Sequence, residues 1–273
     1  MKILDYLLPA MTAAVEAGRA ILSVYSQAEF AVEEKFDKSP LTLADKKAHE
    51  TIVAHLSRFE IPILSEEGRS IEYATRKQWP YMWVVDPLDG TKEFIKRNGE
   101  FTVNIALVHD QHPVLGVIYV PVAGRLYFAA QGFGAYVLHL SDAAILKTES
   151  LDAIVGLSCR ISVKAGGGDP FTIVGSRSHA TPELNAYVEK KRSEHRAVDF
   201  ISAGSSLKIC QVAEGRADVY PRLGPTMEWD TAAGHAIAEQ AGALVFRSDT
   251  GGPLLYNKEN LLNPWFFVSN GNH

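Results

Sequence analysis

Cysteine is scarce: Cys159 and Cys210 are the only two in 273 residues. They lie far apart and neither belongs to a CxxC pair, which excludes a disulfide framework and a cysteine-based zinc site. Basic charge is also short, with 27 Lys and Arg against 32 Asp and Glu and a formal net charge of −5. Without a basic run, binding along a nucleic acid polymer is not expected. A mildly acidic protein still takes an anionic substrate where metal ions supply positive charge locally. No uninterrupted apolar run approaches the roughly 20 residues that span a bilayer, so no transmembrane segment is expected. Asp5 falls where the apolar core of a signal peptide would lie, and no convincing small-residue cleavage site follows. The expectation is a soluble, cytoplasmic protein, with no visible anchor for peripheral attachment to the inner membrane.

What is present is enough apolar material, 47% of residues, for a sizeable core in one large domain or two closely packed subdomains. Leu4, Leu7, Leu8, Met11, Val15, Gly18, Leu22 and Tyr25 recur at helical spacing and predict an amphipathic N-terminal helix. A second helix is predicted from Thr42 to about Phe59, followed by a short buried strand at 61–64. From Phe101 the pattern becomes β: runs at 102–108, 114–120 and 125–129 predict an antiparallel meander, ended by Gly132 to Tyr136. The stretch 158–170, with Gly166-Gly167-Gly168, is the best candidate for a flexible segment. Beyond it strands and helices alternate, which predicts two α/β subdomains, about 1–140 and 141–273, sharing one interface.

The most informative run is Trp83-Val84-Val85-Asp86-Pro87-Leu88-Asp89-Gly90-Thr91. Its apolar half predicts a buried strand that delivers Asp86 at its end. Pro87 fixes φ there, and Gly90 permits a sharp turn. Two carboxylates on one rigid turn repel each other unless a cation sits between them. Hard divalent cations take oxygen ligands, and Mg2+ keeps waters beside a phosphorylated substrate. The plain alternative is a surface Asp-Pro/Asp-Gly turn. Three more acids fall at comparable places: Glu66 after a strand, Asp45 early in the second helix and Asp230 at the start of a helix predicted over 231–241. α/β proteins place ligands at strand ends and helix starts. Taken singly, Asp230 is equally a helix cap, Asp45 a helix-dipole partner and Glu66-Glu67 a solvated loop pair.

Together these residues resemble the lithium-sensitive, magnesium-dependent phosphatase superfamily that includes inositol monophosphatase and fructose bisphosphatase. Its two signatures are matched by Asp86-Pro87-Leu88-Asp89-Gly90-Thr91 and Trp229-Asp230-Thr231-Ala232-Ala233-Gly234, with Glu66-Glu67 and Leu43-Ala44-Asp45 standing at its other acidic positions. Within it, the run from Asp86 to Asn104, with Ser176 to His179, Gly204 to Lys208 and Tyr220 to Thr226, looks most like the bacterial 3′(2′),5′-bisphosphate nucleotidases. The likeness covers nearly the whole chain, apart from the 158–170 stretch and Glu228.

The resemblance implies an α/β (α+β) layered sandwich of helices and sheets, with two subdomains around one active-site cleft. It implies two or three Mg2+ per site. Glu66, Asp86 and the Leu88 carbonyl would hold one ion, and Asp86, Asp89 and Asp230 a second. Thr91 and Asp45 would orient the attacking water, with Glu66 also catalytic. Thr91 opens a predicted helix, so its plain alternative is a helix N-cap. Gly90, Thr91, Ser176, His179, Gly204, Lys208 and Asp230 would contact the nucleotide, and a glycine-serine-serine run before a helix offers N–H groups to a phosphate. The implied reaction releases the 3′-phosphate of adenosine 3′,5′-bisphosphate. Alternatives are an inositol or sugar phosphate phosphatase on the same scaffold and a non-catalytic nucleotide sensor.

Overall fold

The computed structural model describes residues 1–27, 40–140, 146, 150–165, 169–176 and 181–271. Two helices open the chain, α1 (Leu7–Tyr25) and α2 (Pro40–Leu56). A seven-stranded sheet follows: β1 (Ile63–Ser65), β2 (Tyr81–Asp89), β3 (Thr102–His109), β4 (His112–Val120), β5 (Arg125–Ala130), β6 (Gly134–His139) and β7 (Cys159–Ile161), in that spatial order. Only β1 and β2 are parallel; the other pairs form an antiparallel meander. Short helices α3 (Tyr73–Arg76), α4 (Thr91–Ile95) and α5 (Leu151–Gly156) fill connections.

The second half supplies β8 (Phe171–Gly175), α6 (Pro182–Glu194), β9 (Val198–Ser202), α7 (Leu207–Ala213), β10 (Val219–Arg222), α8 (Glu228–Gln240), β11 (Leu244–Arg247) and β12 (Phe266–Ser269). Its five strands form a mixed sheet in the order β11-β12-β10-β8-β9.

Alternation along the strands explains the layering. Trp83, Val85, Ile105 and Val117 face one side of the large sheet and bury against α1 and α2. Met82, Val84, Ala106 and Ile118 face the other and share a core with α7, α8 and the inner face of the small sheet. A third cluster, Phe171, Ile173 and Val219 with Leu184 and Val188 of α6, closes the far side. The order is helices, sheet, helices, sheet, helix. Because both faces of the large sheet are covered, β2 and β3 read as continuous apolar runs. Gly116 lets α8 approach closely: a Cβ there would meet the Ala233 carbonyl oxygen at 2.2 Å.

Several local expectations change. Residues 132–136 do not end the meander, since β6 begins at Gly134 and β7, from beyond residue 140, completes the sheet. That strand lies inside the glycine-rich stretch, whose Gly166-Gly167-Gly168 fall outside the described residues. The segment Ile3–Tyr25 is long and apolar enough to cross a membrane by length and composition, although Asp5, Glu16 and Arg19 interrupt it. Its Leu7, Met11, Ala14 and Ile21 are fully buried in the core beneath the large sheet, which accounts for its apolar character.

Candidate active site

β2 does not stop at Asp86, as the sequence suggests, but runs on to Asp89 through a bulge. Asp86 pairs with Asn104 and Asp89 with Thr102, so Pro87 and Leu88 together face the single residue Val103. Such an insertion bends the strand and re-aims its side chains. Pro87 suits it, because a bulge tolerates a missing N–H. The Leu88 N–H is taken by Asp86 Oδ1 at 3.0 Å. Gly90, at φ +99°, then turns the chain into α4, a conformation that glycine supplies without steric cost. Gly90 is the N-cap and Thr91 the first helical residue, so the Thr91 hydroxyl is not a cap.

Parallel pairing of β1 with β2 sets Ser65 beside Val85, and the Glu66 N–H continues the ladder to the Val85 carbonyl at 3.1 Å. Glu66 therefore emerges next to Asp86. Asp45 comes from α2, which begins at Pro40; it lies past the first turn, where the helix dipole has little hold. Asp230 comes from α8, which starts at Glu228 rather than 231, and its Oδ2 accepts the Met227 N–H at 2.9 Å.

Asp45, Glu66, Asp86, Asp89 and Asp230 thus converge from α2, β1, β2 and α8. Asp86 is buried, and desolvation followed by the charges of Asp89, Glu66, Asp230 and Asp45 pushes its carboxyl well above the usual range. Desolvation and the Asp89 charge raise Asp230 to about 7. Asp45 is raised to about 8, by desolvation, Glu67 and Glu66. Glu66, at the exposed rim, is raised by loss of surrounding water and by Asp89 and Glu67, against a hydrogen bond with Asp86. Asp89 is raised by desolvation, partly offset by Lys208 and by hydrogen bonds from the Ser206 N–H and Asn104.

A divalent cation suits this set. The charges that act most strongly on Asp86 are the carboxylates of Asp89, Glu66, Asp230 and Asp45, and the donors are all hard oxygens. Among the described residues no three acidic, His or Cys side chains already close into a coordination shell.

Opposite Asp89 lies a polar brace that the sequence reading missed. Asn104 Nδ2 approaches Asp89 Oδ2 at 3.4 Å, while its Oδ1 accepts from Thr102 Oγ1 at 3.0 Å and Ser206 Oγ at 2.9 Å. Asn104 and Thr102, fully buried in an otherwise apolar strand, were the available signal. Lys208 is buried too, lowered to about 8 by desolvation, and its Nζ donates to the Ser205 carbonyl at 2.6 Å. It lines a cleft of about 70 Å³ with Asp89, Tyr220, Arg222 and Asp230.

A neighbouring cleft of about 180 Å³ is lined by Ser176, Gly204, Glu93, Lys96, Asn98 and Glu100. The Gly204 N–H, expected to face a phosphate, already donates to Glu100 Oε2 at 2.8 Å. Ser176 and Gly204 therefore meet in one cleft and Lys208 lines the next, while His179 lies outside the described residues. Among the described residues Thr91 makes no hydrogen bond to Asp45, although α4 packs against α2.

This combination of fold and carboxylate cluster places the chain in the inositol monophosphatase family, whose model matches residues 4–266. Members of that family are metal-dependent phosphatases. The chain is 46% identical over 257 residues to the 3′(2′),5′-bisphosphate nucleotidase CysQ of Escherichia coli strain K12, covering 93% of this chain and 95% of that protein. It superimposes on the crystal structure of CysQ from Bacteroides thetaiotaomicron with a TM-score of 0.89 and 54% identity, over 96% of both chains. An inositol monophosphatase from Zymomonas mobilis shares the fold at a TM-score of 0.76 and 23% identity, over 100% of this chain and 95% of that one.

Proposed function

We propose that this protein is a Mg2+-dependent, cytoplasmic phosphomonoesterase that hydrolyses the 3′-phosphate of adenosine 3′,5′-bisphosphate to AMP and inorganic phosphate. The observation that carries the chemistry is Asp86, a buried carboxylate on which the carboxylates of Asp89, Glu66, Asp230 and Asp45 all act. The substrate is carried over from the nucleotidases that the chain resembles across more than nine-tenths of its length.

Glu66, Asp86 and the Leu88 carbonyl would hold one cation, and Asp86, Asp89 and Asp230 another, with two or three Mg2+ per site. When bound, such ions neutralise charge on the phosphoryl oxygens and acidify water. Thr91 and Asp45 orient the attacking water and the Asp45 carboxylate receives its proton, with Glu66 alongside. The water oxygen bonds to phosphorus as the bond to the 3′ oxygen breaks, and that oxygen takes a proton from a solvent water while Asp45 returns its own to solvent. Lys208 and Arg222 supply fixed positive charge on the nucleotide side of Asp89 and Asp230. Ser176, His179 and Gly204, with Gly90 and Thr91, contact the nucleotide.

The test is phosphate release by chelator-treated protein, with and without Mg2+. The panel is adenosine 3′,5′-bisphosphate, its 2′ isomer, the sulfated nucleotide and inositol 1-phosphate. Mg2+-dependent release from the nucleotides is expected. Good turnover of inositol phosphate with none of the nucleotide would support the sugar-phosphatase alternative. Tight nucleotide binding without turnover in saturating Mg2+ would mark a sensor.

A further inference from the structure

Glu228 opens α8 two residues before Asp230, and it is 0% exposed. A carboxylate in such a place is costly unless paired and hydrogen-bonded. Here it is fully engaged. Its Oε2 accepts the Asn257 N–H at 2.6 Å, and its Oε1 accepts the Lys258 N–H at 2.9 Å and Lys258 Nζ at 2.6 Å. Lys258 Nζ also donates to the Leu255 carbonyl at 3.0 Å and Asn263 Oδ1 at 3.2 Å.

The receiving turn is braced from behind. Arg76, 3% exposed, donates to Asn257 Oδ1 at 2.8 Å and the Lys258 carbonyl at 3.1 Å. Asn257 Nδ2 returns a bond to the Arg76 carbonyl at 2.8 Å. Asn263 Nδ2 reaches the Met227 carbonyl at 2.8 Å and Thr231 Oγ1 at 3.0 Å, on either side of Asp230.

Helix residues advance by about 100° each, so Glu228 and Asp230 point to nearly opposite sides of α8. Glu228 therefore grips the helix start from behind while Asp230 faces the cleft. Groups that orient metal ligands in this way typically change metal affinity by about 10–100-fold when removed.

We propose that Glu228 and Lys258 are a positioning pair, braced by Arg76, Asn257 and Asn263, that fixes the first turn of α8 so that Asp230 meets a divalent cation shared with Asp86 and Asp89. The proposal rests on the reading of Asp230 as a metal ligand.

Two variants test it. Glu228→Gln removes the charge and keeps the shape. Glu228→Leu combined with Lys258→Met replaces both charges with apolar groups, so no buried charge is left unpaired. Each is titrated calorimetrically with MgCl2 alone, at a temperature where circular dichroism shows wild type and variants folded. The Mg2+ dependence of phosphate release is measured in parallel. Expected is Mg2+ binding weakened by about 10-fold in both variants, with lost activity recovered at high Mg2+ and KM for the nucleotide unchanged. Folded variants that bind Mg2+ as the wild type does, with only a lower Tm, overturn the proposal. If the double variant does not fold, Glu228→Asp, one methylene too short for the clasp, decides by the same titration. Wild-type protein that binds Mg2+ but spares the nucleotide would sink the substrate assignment alone; wild-type protein that binds no Mg2+ would sink both.

Discussion

Stripping divalent cations from the folded protein should make its stability fall with pH, and Mg2+ should abolish that fall. In the fold Asp230 sits at about 7 and Asp45 at about 8, against an ordinary 3.8, and Asp86, Asp89 and Glu66 are raised as well. In the unfolded chain all five ionise near pH 4. Above that pH the unfolded chain has released protons that the folded state still holds, so apo stability declines. The decline ends once the folded groups have ionised, near pH 8 for Asp45.

Fully expressed, the displacement of Asp230 corresponds to about 4 kcal/mol. Asp230 is only partly buried and shares its protons with neighbours, so about 2 kcal/mol is the working figure for the cluster. At roughly 2–4 °C per kcal/mol, the apo Tm drops by about 4–8 °C between about pH 5 and pH 8. Mg2+ at about a hundredfold over its Kd restores about 2.7 kcal/mol, and more of that gain appears where the carboxylates are ionised. Thermal unfolding in chelator and in Mg2+, followed across pH, reads the difference directly and cancels titrations elsewhere in the chain. An apo Tm that stays flat or rises over this range, or a Mg2+ gain independent of pH, would refute the reasoning.

Asp89→Asn should cut turnover by at least about 100-fold while leaving apo Tm unchanged or higher, because it removes a charge from a repelling cluster; steady-state kinetics with apo unfolding checks both halves. Gly116→Ala drives a Cβ to 2.2 Å from the Ala233 carbonyl and should cost about 1–3 kcal/mol, seen as a lower midpoint in urea unfolding. Gly204→Ala puts a Cβ 2.6 Å from Glu93 Cγ and 2.9 Å from Glu100 Cβ. It should raise KM for the nucleotide by about 10-fold or more with a smaller change in kcat, measured on adenosine 3′,5′-bisphosphate.

Much of the local structure was legible because it depends on short-range periodicity. The α1 stripe and the apolar runs of β2 and β3 follow from spacing and burial. The bulge at Pro87-Leu88 was not legible as such. An Asp-Pro pair reads as a turn until the partner strand supplies Asn104 and Thr102 on either side. The partner of the Gly204 N–H was not legible for a similar reason: it donates to Glu100, 104 residues away in sequence.

By itself the sequence singled out Asp86, Asp89, Glu66, Asp45 and Asp230 as candidates, since they sit in spaced patterns that composition does not scatter by chance. It also determined the apolar runs that bury β2 and deliver the first two of them. Only the tertiary structure decided that these acids act on one another, because their mutual repulsion becomes visible only when α2, β1, β2 and α8 meet. The same holds for Glu228. In the chain it is a charge beside a motif; in the fold it is a fully enclosed carboxylate, given meaning by Lys258 and Arg76, because burial turns charge from a solvated ornament into a demand for partners.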